Sequence, residues 1–167
     1  SGDGQHVILA ADTVVIADEM ILNKPGSGEE AFEMLRRLSG KTHSVITGFC
    51  LTCGNKEYAA DETSMVTFRN LTKAEIDNYI TEFQPMDKAG AYGIQESLPD
   101  NLDPCSNEEK DLLFSLGRPD LSDRSREIPS GKKPVVLIQH LNGSFFNVMG
   151  LPLAKLATPL RQFMHAE

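Results

Sequence analysis

Three short stretches of this chain set charged or amide side chains beside small residues, and these are the stretches that can do chemistry. Asp12 and Thr13 follow directly on the apolar run Val7-Ile8-Leu9-Ala10. A carboxylate at the edge of a buried strand is costly unless its charge is used. Asp12 can order a divalent metal or deprotonate a water, or it can simply cap the turn that follows. Thr13 can offer a hydroxyl to a ligand, or serve only as a good strand residue. Lys24 stands before Pro25, whose ring restricts the lysine to extended backbone and stiffens the platform of a phosphate-holding cation. A solvated surface lysine fits the same position. The third stretch is Asp87-Lys88-Ala89-Gly90-Ala91-Tyr92-Gly93-Ile94-Gln95. Its glycines let backbone approach a ligand closely, or allow close strand packing. Gln95 offers both a donor and an acceptor, which suits a uracil or thymine edge among many others. Acid, base and amide on loops beside small residues suit a phosphate-bearing ligand better than a plain core.

The elements that must position these groups read in order along the chain. Val7 to Ala11 reads as a buried strand, continued by Val14 to Ala17, with a tight connection at Asp18-Glu19-Met20. Ser27-Gly28-Glu29-Glu30 has capping-box spacing, and Ala31, Met34, Leu35 and Leu38 recur at helical period behind it, predicting a helix over 28–39. Ser44 to Cys53 and Tyr58 to Phe68 predict an antiparallel pair turning at Gly54-Asn55. Thr72-Lys73-Ala74-Glu75 opens a second helix over 73–83, ended by Pro85. Ala89 to Ile94 reads as a short strand and Val135 to Gln139 as a buried one. Phe145 to Met149 reads as the hairpin return of the latter across Asn142-Gly143. Ser97 to Lys133, with its prolines at 99, 104, 119 and 129, reads as a surface insertion holding one short helix capped by Ser106, with Leu112, Leu113 and Leu116. A last helix starts near Pro152 with Leu153, Leu156, Leu160 and Phe163 on one face. Strands alternating with helices predict an α/β fold, a mixed twisted β-sheet flanked by helices, in one domain over 1–167.

Composition narrows the partners. With 167 residues, 40% hydrophobic and 24% charged, the chain has enough length and apolar content for one packed core. A formal net charge of -8 repels nucleic acid and anionic lipid, so no nucleic-acid partner is expected. No apolar run reaches the roughly 20 residues of a membrane helix. The start, Ser1 to His6, lacks the basic and apolar regions of a signal peptide. Three cysteines do not make an even disulfide set, and a cytoplasmic setting is expected. Cys50 and Cys53 have redox-motif spacing. On a strand, residues three apart face opposite sides about 10 Å apart, too far for a disulfide. Cys105 reads as a lone thiol in a polar segment. His6, His43, His140 and His165 show no zinc-ligand spacing. Neither a GxGxxG nor a phosphate-loop GxxxxGK pattern occurs.

The order of the motifs is more specific than any one of them. Ala11 to Val15, Asn23-Lys24-Pro25, Met34 to His43, Thr47-Gly48, Leu71 to Ile76, Asp87 to Gln95 and Asn147 to Leu153 together resemble the Maf family. The resemblance covers 7–96 and 135–160. It implies the fold shared with inosine-triphosphate pyrophosphatases and the activity of a nucleoside triphosphate pyrophosphatase, in a family first associated with septum formation. By position, Asp12 matches the catalytic proton acceptor and Lys24 a phosphate-contacting lysine. Thr13 and Gln95 match positions linked with substrate choice. The residues around both look like the branch acting on dTTP and UTP. Lys88 would join Lys24 and Mg²⁺ or Mn²⁺ in offsetting phosphate charge, and relatives are often homodimers. The family's first strand with its Ser-Pro-Arg-Arg type phosphate loop has no counterpart here. The domain is therefore expected to be N-terminally incomplete, with one edge of the cleft missing and an insertion at 97–133. The alternative of a different class is a non-catalytic Maf-like protein that binds nucleotide or regulates cell division. A third, weaker reading is a redox protein using Cys50 and Cys53.

Overall fold

The computed structural model describes residues 6–99, 102–123, 128 and 131–164. Five strands form one sheet: β1 (Ile8–Ala17), β2 (Met20–Leu22), β3 (Thr42–Cys53), β4 (Lys56–Phe68) and β5 (Ile138–Asn142), in the order β2-β1-β3-β4-β5. The helices are α1 (Gly28–Leu38), α2 (Lys73–Phe83), α3 (Ile94–Ser97), α4 (Asn107–Ser115), α5 (Phe145–Met149) and α6 (Leu153–Met164). The expected α/β sheet with helices on it is present. All four strand pairings among the described residues are antiparallel, so no parallel pair mixes into it there. Among the described residues no helix is long and apolar enough to cross a membrane.

The hairpin of β3 and β4 is the spine. Every second residue of β3, from His43 to Cys53, is buried, the alternation expected of a strand covered on one side only. Register carries that covered face across the sheet. Val15 of β1 and Ser64 of β4 lie opposite Val45, while Thr13 and Glu62 lie opposite Thr47. Cys50 is half-buried and Cys53 buried, on opposite faces of β3, and no disulfide joins them.

Helices α1 and α2 cover one end of the face. Ser27 caps α1 by accepting the Glu30 N–H at 3.2 Å, and Ala31, Met34, Leu35 and Leu38 are buried at the predicted spacing. Thr72 and Glu75 close a full capping box on α2. A 2.8 Å ion pair with Arg69 and hydrogen bonds from Thr72 hold the Glu75 carboxyl down to about 2. The main core gathers Val15, Leu35, Leu38, Val45, Val66, Phe68 and Tyr79. A smaller cluster at the far end packs Leu156 of α6, with Leu160 and Phe163, on Phe49 and Leu51.

Several expectations are corrected. The run Val7 to Ala11 is no buried strand: Ile8 to Asp12 are exposed, with Ile8 at 63%. The reason is the sheet edge. Strand β2 pairs only with Val15 to Ala17, so Ile8 to Val14 have no neighbour on that side among the described residues. The predicted strand at 89–94 is instead a single tight turn over Ala89–Ala91 followed by α3, because Gly90 and Ala91 take φ of 71° and 61°. The predicted hairpin return at 145–149 is α5, started by Ser144 Oγ accepting the Asn147 N–H at 3.0 Å and ended by Gly150 at φ 112°. The strand expected over 135–139 becomes regular only from Ile138, since Val135 and Leu137 donate to the carbonyls of Glu96 and Ser97 instead. Segment 97–133 is more than surface: Leu98, Cys105, Glu109 and Leu113 are buried, although Leu116 is exposed. Burial pushes the Cys105 thiol up to about 11, so it is an inert core residue. His165, the chain start at 1–5 and most of 124–130 lie outside the described residues.

Two buried positions give measurable consequences. His43 is 2% exposed, its Nε2 lies 2.8 Å from Tyr92 Oη, and burial pulls its pKa down to about 4. The folded state therefore disfavours the protonated ring. The stability this confers is complete above the unfolded pKa near 6.5 and is lost as pH falls toward 4, about 3 kcal/mol in all. Denaturant titrations from pH 7 to 4 should show that fall, and His43→Gln should flatten it. Gly143 sits at φ +128°, and a Cβ there would stand 2.6 Å from Ser64 Oγ and 2.9 Å from Ser64 Cα. Gly143→Ala should cost roughly 1–3 kcal/mol, seen as a lower urea midpoint at unchanged slope.

Candidate functional site

A cleft of about 330 Å³ opens where β1, the β2–α1 connection and the 87–95 stretch meet. Each wall has a local cause. Strand β1 delivers Asp12, Thr13 and Val15, then reverses through Asp18 and Glu19 at φ 50° and 62°. That two-residue turn, with both dihedrals positive, is the hairpin connection that matches strand twist. It returns the chain through β2 to Asn23 and Lys24. The carbonyl of Asn23 accepts the Gly90 N–H at 3.2 Å, which ties the Lys24 loop to the turn carrying Lys88. Gly90 is required there: its φ is +71°, and a Cβ would meet Val15 Cγ1 at 3.1 Å.

All five residues singled out from the sequence line this cleft: Asp12, Thr13, Lys24, Lys88 and Gln95. Asp12 is exposed rather than buried, and its Oδ1 accepts the backbone N–H of Thr13 at 2.9 Å. The open edge of β1 leaves that N–H without a ladder partner, so the carboxylate is held along the strand at the cleft mouth. Lys88 Nζ lies 3.1 Å from Asp87, and this hydrogen bond, with the nearby charge of Lys24, keeps the Asp87 carboxyl below the usual carboxylate range. Two cations therefore face Asp87, and with Asp12 the lining carries two lysines and two carboxylates, a local charge balance within an acidic protein. Gln95 stands half-buried on the first turn of α3.

Sequence reasoning named Tyr92 only as part of a stretch and did not place Val148 and Met149 at the site, yet all three line the cleft. Burial raises the Tyr92 hydroxyl far above its ordinary pKa, so it stays protonated. Thr47 was also passed over as a functional group. It lies opposite Thr13, fully buried, with its Oγ1 2.8 Å from Thr13 Oγ1. A threonine between Val45 and Phe49 on the buried face of β3 was the available signal.

A group of three or more His, Cys, Asp or Glu side chains poised for a metal does not occur among the described residues. The donors present are Asp12 and the lysine-bound Asp87. That set fits Mg²⁺ or Mn²⁺ only in the mode in which one or two carboxylates assist and ligand phosphates supply other donors.

A family model described as "Maf-like protein" matches residues 2–100. A dTTP/UTP pyrophosphatase from Bacillus cereus (strain G9842) is 35% identical over 161 residues, covering 96% of this chain and 65% of the relative. One from Bacillus mycoides (strain KBAB4) is 38% identical over 158 residues, covering 95% and 64%. The chain thus spans just under two thirds of the length of the curated relatives it matches. With a family model matching more than half of it and relatives 35% and 38% identical over nearly all of it, the chain belongs to the Maf-like family.

Proposed function

We propose that this chain carries the catalytic cleft of a nucleoside triphosphate pyrophosphatase acting on dTTP and UTP. The observation that carries the reading is convergence: Asp12, Thr13, Lys24, Lys88 and Gln95 come from three separate stretches and line one cleft. The names of the relatives, dTTP/UTP pyrophosphatase, support the substrate class. In this reading the base lies against Gln95 and Thr13, and the triphosphate lies along Lys24 and Lys88. Asp12, exposed at the cleft mouth, positions a water for the α-phosphorus and takes its proton as the P–O bond to pyrophosphate breaks. The products are a nucleoside monophosphate and pyrophosphate. Positioning and charge stabilisation carry the rate. A divalent cation would be held by Asp12 together with ligand phosphates and would neutralise part of their charge. The reading includes a cytoplasmic setting and a homodimer, and the net charge of -8 supports the absence of a nucleic-acid partner.

Pyrophosphate release from dTTP and UTP, with Mg²⁺ or Mn²⁺ present, tests the proposal. Asp12→Asn should lower kcat by about 100-fold or more with little change in KM. Lys24→Ala should act on KM as well, since it removes a charge that binds ground state and transition state alike. If wild type and Asp12→Asn are equally inactive while nucleotide still raises the melting temperature, the protein is a non-catalytic nucleotide binder.

A further inference from the structure

We infer that Thr47 fixes the direction of the hydrogen bond Thr13 offers in the cleft, so that Thr13 is an acceptor there and selects a base bearing an N3–H over cytosine. The inference rests on the pyrimidine nucleotide reading above and names the group that sets base choice.

A hydroxyl has one proton and two lone pairs. Thr47 Oγ1 donates its proton to the Asn147 carbonyl at 2.8 Å, and a carbonyl has none to return. The 2.8 Å contact between the two threonine hydroxyls therefore runs one way: Thr13 donates and Thr47 accepts. With its proton committed toward the core, Thr13 has only lone pairs left for the cleft it lines. Gly150, at φ +112°, lies beside this hydroxyl, where a Cβ would stand 3.4 Å from Thr13 Oγ1.

The commitment holds because Asn147 cannot turn. Its Nδ2 donates to the Val45 carbonyl at 3.2 Å and to Ser64 Oγ at 2.9 Å, and its backbone N–H donates to Ser144 Oγ at 3.0 Å. Ser64 Oγ spends its own proton on the Ser144 carbonyl at 3.1 Å. Ser144 Oγ donates to the Glu109 carboxylate. Each of these bonds ends on a carbonyl, a carboxylate or a hydroxyl whose proton is already placed, so one proton arrangement serves them all, and only Asn147 Oδ1 in this set is buried without a partner. Thr47, Ser64 and Asn147 are 0% exposed and Glu109 1%, which removes bulk water as a competing partner and strengthens the chain of bonds.

The edge of uracil or thymine presents N3–H between two carbonyl oxygens, whereas cytosine presents a bare N3 beside an amino group. Gln95 alone reads both, since turning its amide exchanges donor and acceptor. A freely rotating hydroxyl reads both as well. A hydroxyl with its proton pinned elsewhere accepts from N3–H and sets lone pair against lone pair at cytosine N3. Thr13 touches the base, and Thr47 is the positioning residue behind it.

NMR titration of the full chain with UMP and with CMP measures base preference without turnover. Wild type should favour UMP. Thr47→Val frees the Thr13 proton to rotate, and the UMP-to-CMP affinity ratio should fall about tenfold, while Thr47→Ser should keep the wild-type ratio. Thr13→Val should abolish the preference, and adding Thr47→Val to it should change the ratio no further. A role for Thr47 in stability alone would leave the ratio unmoved in Thr47→Val, and that result overturns the inference. Equal binding of UMP and CMP by wild type overturns it too. A preference that survives in a chain releasing no pyrophosphate supports the inference and defeats only the catalytic reading. Failure to bind either mononucleotide overturns both.

Discussion

One hydroxyl proton on the covered face of β3 orders much of what surrounds it. Thr47 lies between Val45, in the main core, and Phe49, in the smaller cluster. A polar atom in that position is destabilising unless it is fully bonded. The bond to the Asn147 carbonyl satisfies it by bringing α5 down onto the sheet. Helix α5 in turn needs a start, supplied by Ser144, and Ser144 needs an acceptor, supplied by Glu109 of α4. Glu109 also closes its own capping box on the Ser106 N–H at 2.9 Å. A single polar row thus links the cleft, the sheet, the 145–149 helix and the segment that the sequence marks as an insertion. That is why Glu109 is buried in a stretch whose composition reads as surface.

The cleft shows how an acidic chain handles an anion. Charge here is local. Lys24 and Lys88 flank Asp87, and the Asn23–Gly90 bond keeps the two lysine-bearing loops together. The backbone that permits this is strained at Ala91, φ 61°, a residue type that rarely adopts such a dihedral. Burial of Ala91 against the core holds it there.

Much of this was legible in the sequence because local signals and burial agreed. The capping residues Ser27 and Thr72, the helical spacing of Ala31, Met34, Leu35 and Leu38, and the alternation of β3 mark elements whose boundaries match within a residue or two. The five candidate residues, singled out by residue type and motif order, line one cleft. What the letters hid was tertiary. Phe145 and Phe146 suit a strand by propensity, yet Ser144 and Gly150 bracket them into a helix turn. Ala89 to Ile94 is small and apolar, but positive φ at two successive residues cannot be read from Gly-Ala alone. Exposure of Ile8 to Asp12 follows from which strands flank β1, a property of topology that no window of residues records.

The row of Thr13, Thr47 and Glu62 also divides the apolar interior, leaving Leu156, Leu160 and Phe163 of α6 in a smaller cluster with Phe49, Leu51, Val7, Ala60 and Leu151. The hairpin of β3 and β4 is thus held by two separate apolar clusters, the larger around Leu35 and Tyr79 and the smaller under Leu156. Local opening costs least where the buried apolar surface is smallest, so amide exchange is expected to be faster at the outer end.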